Sequence, residues 1–339
     1  MRAVTAHAPG QISVDEVPDA VLPGPTGALV KVEATAICGS DLHFYDGDLP
    51  LYPIAVGHEA IGTVSEVGAE VSRHAVGDRV LVASVAGCGA CEGCATLDPV
   101  ACLLGARVFG SGELGGAQSD LLAVPAADYN LLAIPDGVSD EAALLLTDNL
   151  GTGWAAATRA DFAPGETVVV LGLGAVGQCA VRCALALGAR VLAYDPVVGR
   201  VEQAVAAGAT ALPDDVVAAV LEATGGRGAA AVIDAVGLDT TLDTAFAAVR
   251  STGTISVVGI HDLDPYPLAL LMGTFRSITL RMTTAPVHRT WGELLPLLAD
   301  GRLDTAGIFT HTYALDEAGT AYAAVASRSA DCMKAMLIP

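Results

Sequence analysis

The chain has 339 residues, with 17 lysines and arginines against 38 aspartates and glutamates, for a formal net charge of −21. A field of that sign repels phosphate backbones and anionic bilayers, so it excludes nucleic-acid and membrane partners. With 53% hydrophobic and only 4% aromatic residues the sequence describes a globular protein built on small aliphatics, long enough for two domains.

The N-terminus, MRAVTAHAPGQISVDE, carries no apolar run of the kind that opens a secretory leader, so the chain is expected in the cytoplasm. Up to about residue 148 the sequence shows short alternating apolar runs, GALVKVEATAI, GHEAIGTVSEVG and GDRVLVAS, punctuated by Gly, Pro and Asp. These predict a compact β-rich domain. Within it, CGSDLHFYDGDLPLYPIAVGHEA sets a thiol at Cys38 and an imidazole at His58, each near a carboxylate, Asp41 and Glu59. Alone, that stretch fits a metal site, an acid–base pair or ordinary packing.

GCGACEGCATLDPVAC follows, with Cys88, Cys91, Cys94 and Cys102 spaced C-x2-C-x2-C-x7-C. One tight loop can wrap four thiolates around a tetrahedral ion. Four sulfurs leave no position open for water or substrate, so the site reads as structural, with zinc as its occupant. The alternative, unligated cysteines in a glycine-rich loop, would crowd four thiols into a segment with little core of its own.

From Pro164 the pattern changes. ETVVVLG, ARVLAYD, AAVIDAVG, GTISVVG and SITLRMT are strand-like runs separated by alanine-rich helical segments, which predicts a doubly wound parallel sheet. The first of these strands runs into Gly172-Leu-Gly174-Ala175-Val176-Gly177, and Asp195 ends the next strand 23 residues after Gly172. Strand, glycine turn, helix and acidic residue at that distance form a dinucleotide-binding fingerprint. The turn offers backbone N–H groups to a pyrophosphate. Asp195 would accept from the adenosine ribose and repel a 2′-phosphate, favouring NAD, with nearby Arg200 weakening that preference. A plain glycine turn in a flavodoxin-like sheet is the alternative. Cys179 and Cys183, four apart on the following helix, read as small buried side chains. Beyond residue 284, a helix through TWGELLPLLADG, a strand at THTYAL, a helix at DEAGTAYAAVAS and a strand at MKAMLIP return to complete the first domain.

CGSDLH, GHEAIGTVSEVG, GDRV, the four-cysteine loop, GLGAVG and KAMLIP stand in the order and spacing of the zinc-dependent medium-chain alcohol dehydrogenases, a family the sequence resembles over nearly its whole length. The resemblance implies an α/β fold in which a Rossmann NAD-binding domain, 149–283, is inserted in a GroES-like β-rich catalytic domain made of 1–148 and 284–339. It implies that Cys38 and His58 are ligands of a catalytic zinc and that Asp148, in LLLTDNLGTGW, is the third, as in bacterial members that use Asp. Glu59 resembles the acidic neighbour that approaches the metal during exchange. Asp41 resembles the carboxylate that orients the ligating histidine, a role ligation demands in any case. Ser40 and His43 resemble the two protein members of a proton relay, and the near-neutral titration of histidine suits that work. Gly39 replaces a basic residue that meets the coenzyme in some members. The expectation is a zinc- and NAD-dependent dehydrogenase holding two zinc ions and acting on neutral primary or secondary alcohols. Polyol or diol oxidation is an alternative, and a homotetramer is expected, with a dimer left open. A zinc-free quinone or enoyl reductase and a non-catalytic zinc-binding regulator remain as competing classes.

Overall fold

The computed structural model describes every residue except 262, 263, 285 and 330. The chain divides into two compact units, Met1–Gly151 with Ala285–Asp300 and Ile308–Pro339, and Thr152–Thr284 with Gly301–Gly307. The second unit thus begins three residues later than the reading of 149–283 and takes back a short excursion, Gly301–Gly307, from the return segment.

The first unit is built on a seven-stranded sheet whose central strand, Ala28–Ala36, pairs antiparallel with Glu59–Val67 and Ala335–Ile338. Residues of Ala28–Ala36 point inward in the main, with Lys31 and Glu33 directed to solvent. Register positions the chemistry: Ala36 lies opposite Glu59, and Met336 lies opposite Ala36. Cys38 and His58 each lie just beyond the Ala36–Glu59 pair, so two residues twenty apart in sequence emerge at one end of the sheet. The closing strand brings Lys334 to the same end. A three-stranded sheet of Gln11–Glu16, Arg2–Ala8 and Ile54–Ala55 packs its apolar residues with Leu315, Tyr322 and Leu337 in a buried cluster.

The second unit is a six-stranded, all-parallel sheet. Its spatial order is Thr210–Ala211, Arg190–Tyr194, Thr167–Leu171, Ala229–Asp234, Val249–Val257 and Thr279–Met282. The strand order reverses beside Thr167–Leu171, the doubly wound arrangement read from the sequence. Val168 to Leu171 are buried on both faces, which parallel strands covered by helices require. No helix among the described residues is long and apolar enough to cross a membrane.

Candidate functional site

Among the described residues, two groups of metal-ligating side chains form in the first unit. The first is Cys88, Cys91, Cys94 and Cys102, whose sulfurs lie within 4.8 Å of one another. Ligand atoms bonded to one tetrahedral zinc at 2.0–2.3 Å stand about 3.3–3.8 Å apart; Cys88 Sγ and Cys94 Sγ are 3.9 Å apart. The loop is held open by its backbone. Backbone N–H groups of Leu103 and Cys94 each donate to Cys91 Sγ at 3.4 Å, pulling that thiol down to about 6. Burial pushes Cys94 up to about 12. Four convergent sulfurs within 4.8 Å of one another match the thiolate donor set of a tetrahedral zinc site. Asn130 clamps the loop's entry, exchanging hydrogen bonds with the N–H and C=O of Gly87 at 3.0 Å each. Arg289, from the return segment, donates to the Thr96 carbonyl at 3.0 Å.

The second group is Cys38, His58, Glu59 and Asp148, again with ligand atoms within 4.8 Å of one another. Asp148 interrupts the run between the helices Asp140–Thr147 and Asn149–Arg159, with φ −155° and ψ −73°. Ser139 caps the first helix by accepting from the Ala142 N–H at 3.2 Å. Asp148 Oδ2 lies 3.2 Å from His58 Nε2 and 3.8 Å from Cys38 Sγ, the edges of a tetrahedron around a zinc-sized ion. Asp41 Oδ1 is 3.2 Å from His58 Nδ1 and so directs Nε2 toward the other ligands. Burial pulls the His58 imidazole down, yet Asp41 and Asp148 lift it well above its ordinary value, so the pocket favours positive charge at its centre. Glu59 Oε2 is buried without a hydrogen-bond partner. A cation among these atoms would satisfy both demands, and the residues fit one.

Around this group stand residues that sequence reading left unassigned. Lys334 Nζ, fully buried, lies 2.9 Å from Glu59 Oε1. Asn149 Nδ2 donates to the same oxygen at 3.0 Å and reaches Cys38 Sγ at 3.7 Å. Lys334 was visible as one of two lysines, set in the apolar run MKAMLIP, and a lysine in a buried strand pattern is a signal for a paired charge. Nothing local marked Asn149 apart from its place beside Asp148.

Ser40 Oγ is 3.4 Å from His58 Nε2, on the ligand-facing side of the ring. His43 is not in contact with that group; its Nδ1 pairs with Asp48 Oδ2 at 3.0 Å. Gly39 has nothing within 4 Å of the place a Cβ would take.

In the second unit the glycine turn is built as its spacing predicts. Gly172 has φ +82°, and a Cβ there would meet Val236 at 2.2 Å, while a Cβ at Gly177 would meet the Gly172 carbonyl at 1.9 Å. At Gly174 nothing lies within 4 Å, which leaves an open approach to the N-terminus of the helix Ala175–Ala186, where Ala175 and Val176 form the first turn. Asp195 follows the strand Arg190–Tyr194 and accepts from the N–H groups of Leu173 and Val197 at 2.8 Å each. Arg200 Nη1 lies 3.6 Å from the same carboxylate. That pairing directs its charge onto Asp195. Gln178, unassigned from sequence, donates to the carbonyls of Leu173 and Arg200 and ties the turn to the neighbouring helix.

Comparisons with known proteins agree with this construction. Residues 24–136 match the alcohol dehydrogenase GroES-like domain, and residues 175–300 match the zinc-binding dehydrogenase domain. A probable zinc-binding alcohol dehydrogenase of Mycobacterium tuberculosis is 56% identical over 100% of this chain and 89% of its own length. The alcohol dehydrogenase TADH from Thermus sp. ATN1 superposes with a TM-score of 0.93 at 34% identity, covering 100% of this chain and 99% of its own. An alcohol dehydrogenase from E. coli CFT073, solved in complex with NADH, has a TM-score of 0.88 at 26% identity, covering 100% and 99%. The chain belongs to the zinc-dependent medium-chain alcohol dehydrogenase family.

Proposed function

We propose that the protein is an NAD-dependent alcohol dehydrogenase that interconverts a neutral primary or secondary alcohol with its aldehyde or ketone. The observation that carries this reading is the Cys38, His58 and Asp148 cluster, whose spacing suits one zinc ion, beside a hydroxyl, Ser40, 3.4 Å from His58. The four-cysteine loop would hold a second, structural zinc.

When bound by Cys38, His58 and Asp148, zinc supplies Lewis acidity that lowers the proton affinity of an alcohol oxygen. Cys38 and Asp148 balance its charge, and Asp41 keeps the His58 ring in the ligating tautomer. Ser40 accepts the alcohol proton, and His43, fixed at Nδ1 by Asp48, would take it on to solvent by way of the nicotinamide ribose hydroxyl. Glu59, restrained by Lys334 and Asn149, stands as a reserve carboxylate at the edge of the ligand set. Open space at Gly174 receives the coenzyme pyrophosphate, and Asp195, with Arg200 paired to it, favours the free 2′-hydroxyl of NAD.

A second copy of the chain is part of this reading. The strand Thr279–Met282 ends its sheet, and beside it Leu270, Leu271, Phe275 and Met282 are exposed, Phe275 to 80%. An unpaired edge next to an apolar face suits self-association, and a homotetramer is the assembly proposed.

The test is coenzyme reduction across primary alcohols, secondary alcohols, diols and polyols, with NAD and with NADP, on protein of measured zinc content. Turnover with NAD on simple alcohols supports the reading, and the rate ranking separates these from polyols. A clear NADP preference would remove the role given to Asp195.

A further inference from the structure

His58 is held by more than its carboxylate partner. Asp41 Oδ2 accepts from the Cys38 N–H at 2.9 Å and from Gln118 Nε2 at 3.3 Å. Gln118 Nε2 also donates to the Ala36 carbonyl at 3.2 Å, which fixes the amide's orientation, since a carbonyl oxygen faces only donors. Its Oε1 is thereby left to accept, and it accepts from the Tyr322 hydroxyl at 2.9 Å. Asp41, Gln118 and Tyr322 are buried to 1%, 0% and 0% exposure.

The backbone is shaped to admit this chain of contacts. Gly57, which precedes His58, has φ +94°, and a Cβ there would meet Gln118 Cγ at 2.4 Å. The N–H of Ala117 donates to the Gly57 carbonyl at 2.8 Å, and that of Gln118 to the Val56 carbonyl at 3.3 Å. From the other side, the Val4 N–H donates to the Gln118 carbonyl at 2.8 Å. Gln118 is therefore pinned on its main chain by two segments and on its side chain by two more, with its amide aimed at Asp41.

We infer that Gln118 and Tyr322 are positioning residues of the Cys38/His58/Asp148 metal site, acting through Asp41 to hold His58 with Nε2 directed at the ion. The inference rests on that cluster being the catalytic metal site. Tyr322 fixes the Gln118 amide, Gln118 fixes Asp41, and Asp41 fixes the ring. Each link is a hydrogen bond between groups that bulk solvent does not reach. Loss of one outer link therefore propagates inward as a looser imidazole. The four-cysteine loop lies outside this chain of contacts and serves as an internal control in the same molecule.

The experiment uses the full-length, zinc-loaded protein and its Tyr322→Phe and Gln118→Met variants, with zinc release to a colorimetric chelator followed over time. A parallel set carries cobalt at the exchangeable site, whose visible spectrum reports ligand geometry. Partners of metal-bound histidines are worth about 10–100-fold in metal affinity. Tyr322→Phe, two links beyond Asp41, is expected to release one zinc about tenfold faster, with the second unchanged and a shifted cobalt band. Because the residues act in one chain, the double variant should release no faster than Gln118→Met alone. Equal acceleration at both zincs, additive effects in the double variant, or unchanged release and spectrum would each overturn the inference. A wild-type chain holding a single zinc, bound by the four cysteines, would overturn the site reading itself.

Discussion

Lys334 Nζ stands 2.9 Å from Glu59 Oε1, and the two side chains are exposed to 1% and 0%. Burial works against the lysine charge, but Glu59 outweighs it and holds Lys334 above its ordinary value. The pair is a buried ion pair, and its carboxylate is itself a member of the metal-ligating group. Removing one partner of such a pair costs about 3–5 kcal/mol, because the other charge is left uncompensated. Lys334→Met is expected to lose stability on that scale, read as a lowered urea midpoint of the zinc-loaded protein. A change of under about 0.5 kcal/mol, the size of an ordinary surface substitution, would show that the pair is inconsequential.

His288 gives a prediction about pH. It is buried, stacked on Tyr129 at 4.3 Å, and its Nδ1 has no hydrogen-bond partner. Burial lowers its pKa to about 3. The unfolded chain therefore binds a proton here below about pH 6.5 that the folded chain refuses. Its contribution to stability is complete above pH 6.5 and is lost as pH falls from there toward about 3, at about 1.4 kcal/mol per unit. At pH 5 the loss is about 2 kcal/mol. His288→Gln should flatten the fall in stability between pH 7 and 5, measured by urea denaturation at each pH, and an unchanged slope would contradict this assignment.

Asp195 sets coenzyme choice in this account. Asp195→Asn keeps one acceptor oxygen, enough for only one of the Leu173 and Val197 N–H groups, and removes the charge. A charged hydrogen bond is worth about 1.5–3 kcal/mol. Thus kcat/KM with NAD should fall roughly 10- to 150-fold while that with NADP rises. Steady-state rates with both coenzymes decide it, and an unaltered ratio would place the discrimination elsewhere.

Phe275 is 80% exposed on the apolar face beside the edge strand Thr279–Met282. If the proposed self-association uses this face, Phe275→Glu would place a charge in it, and light scattering should report a smaller particle than for the wild type. The same mass for both proteins would free this face of the assembly role.

The sequence carried those parts of the site that are encoded locally. Cys88 to Cys102 and Gly172 to Gly177 are spaced along single loops, so their geometry follows from spacing alone. Cys38 and His58 needed one additional fact, the antiparallel register that sets Ala36 opposite Glu59. The partners of Lys334, Gln118 and Tyr322 were out of reach, because they lie 275, 77 and 204 positions away. No local pattern brings such residues together. Only the return of the closing strand and the docking of the 116–119 loop on Val56 and Gly57 do so. Gly301–Gly307 groups with the second unit without a compositional signal.

The proposed role of Cys38, His58 and Asp148 is to hold the zinc at which an alcohol is oxidised. Zinc content and NAD reduction rate, measured together in wild type and Cys38→Ser, decide it. Two zinc ions are expected per wild-type chain, and one in Cys38→Ser with turnover lost and the four-cysteine zinc retained. A Cys38→Ser protein holding both ions with full activity would contradict it.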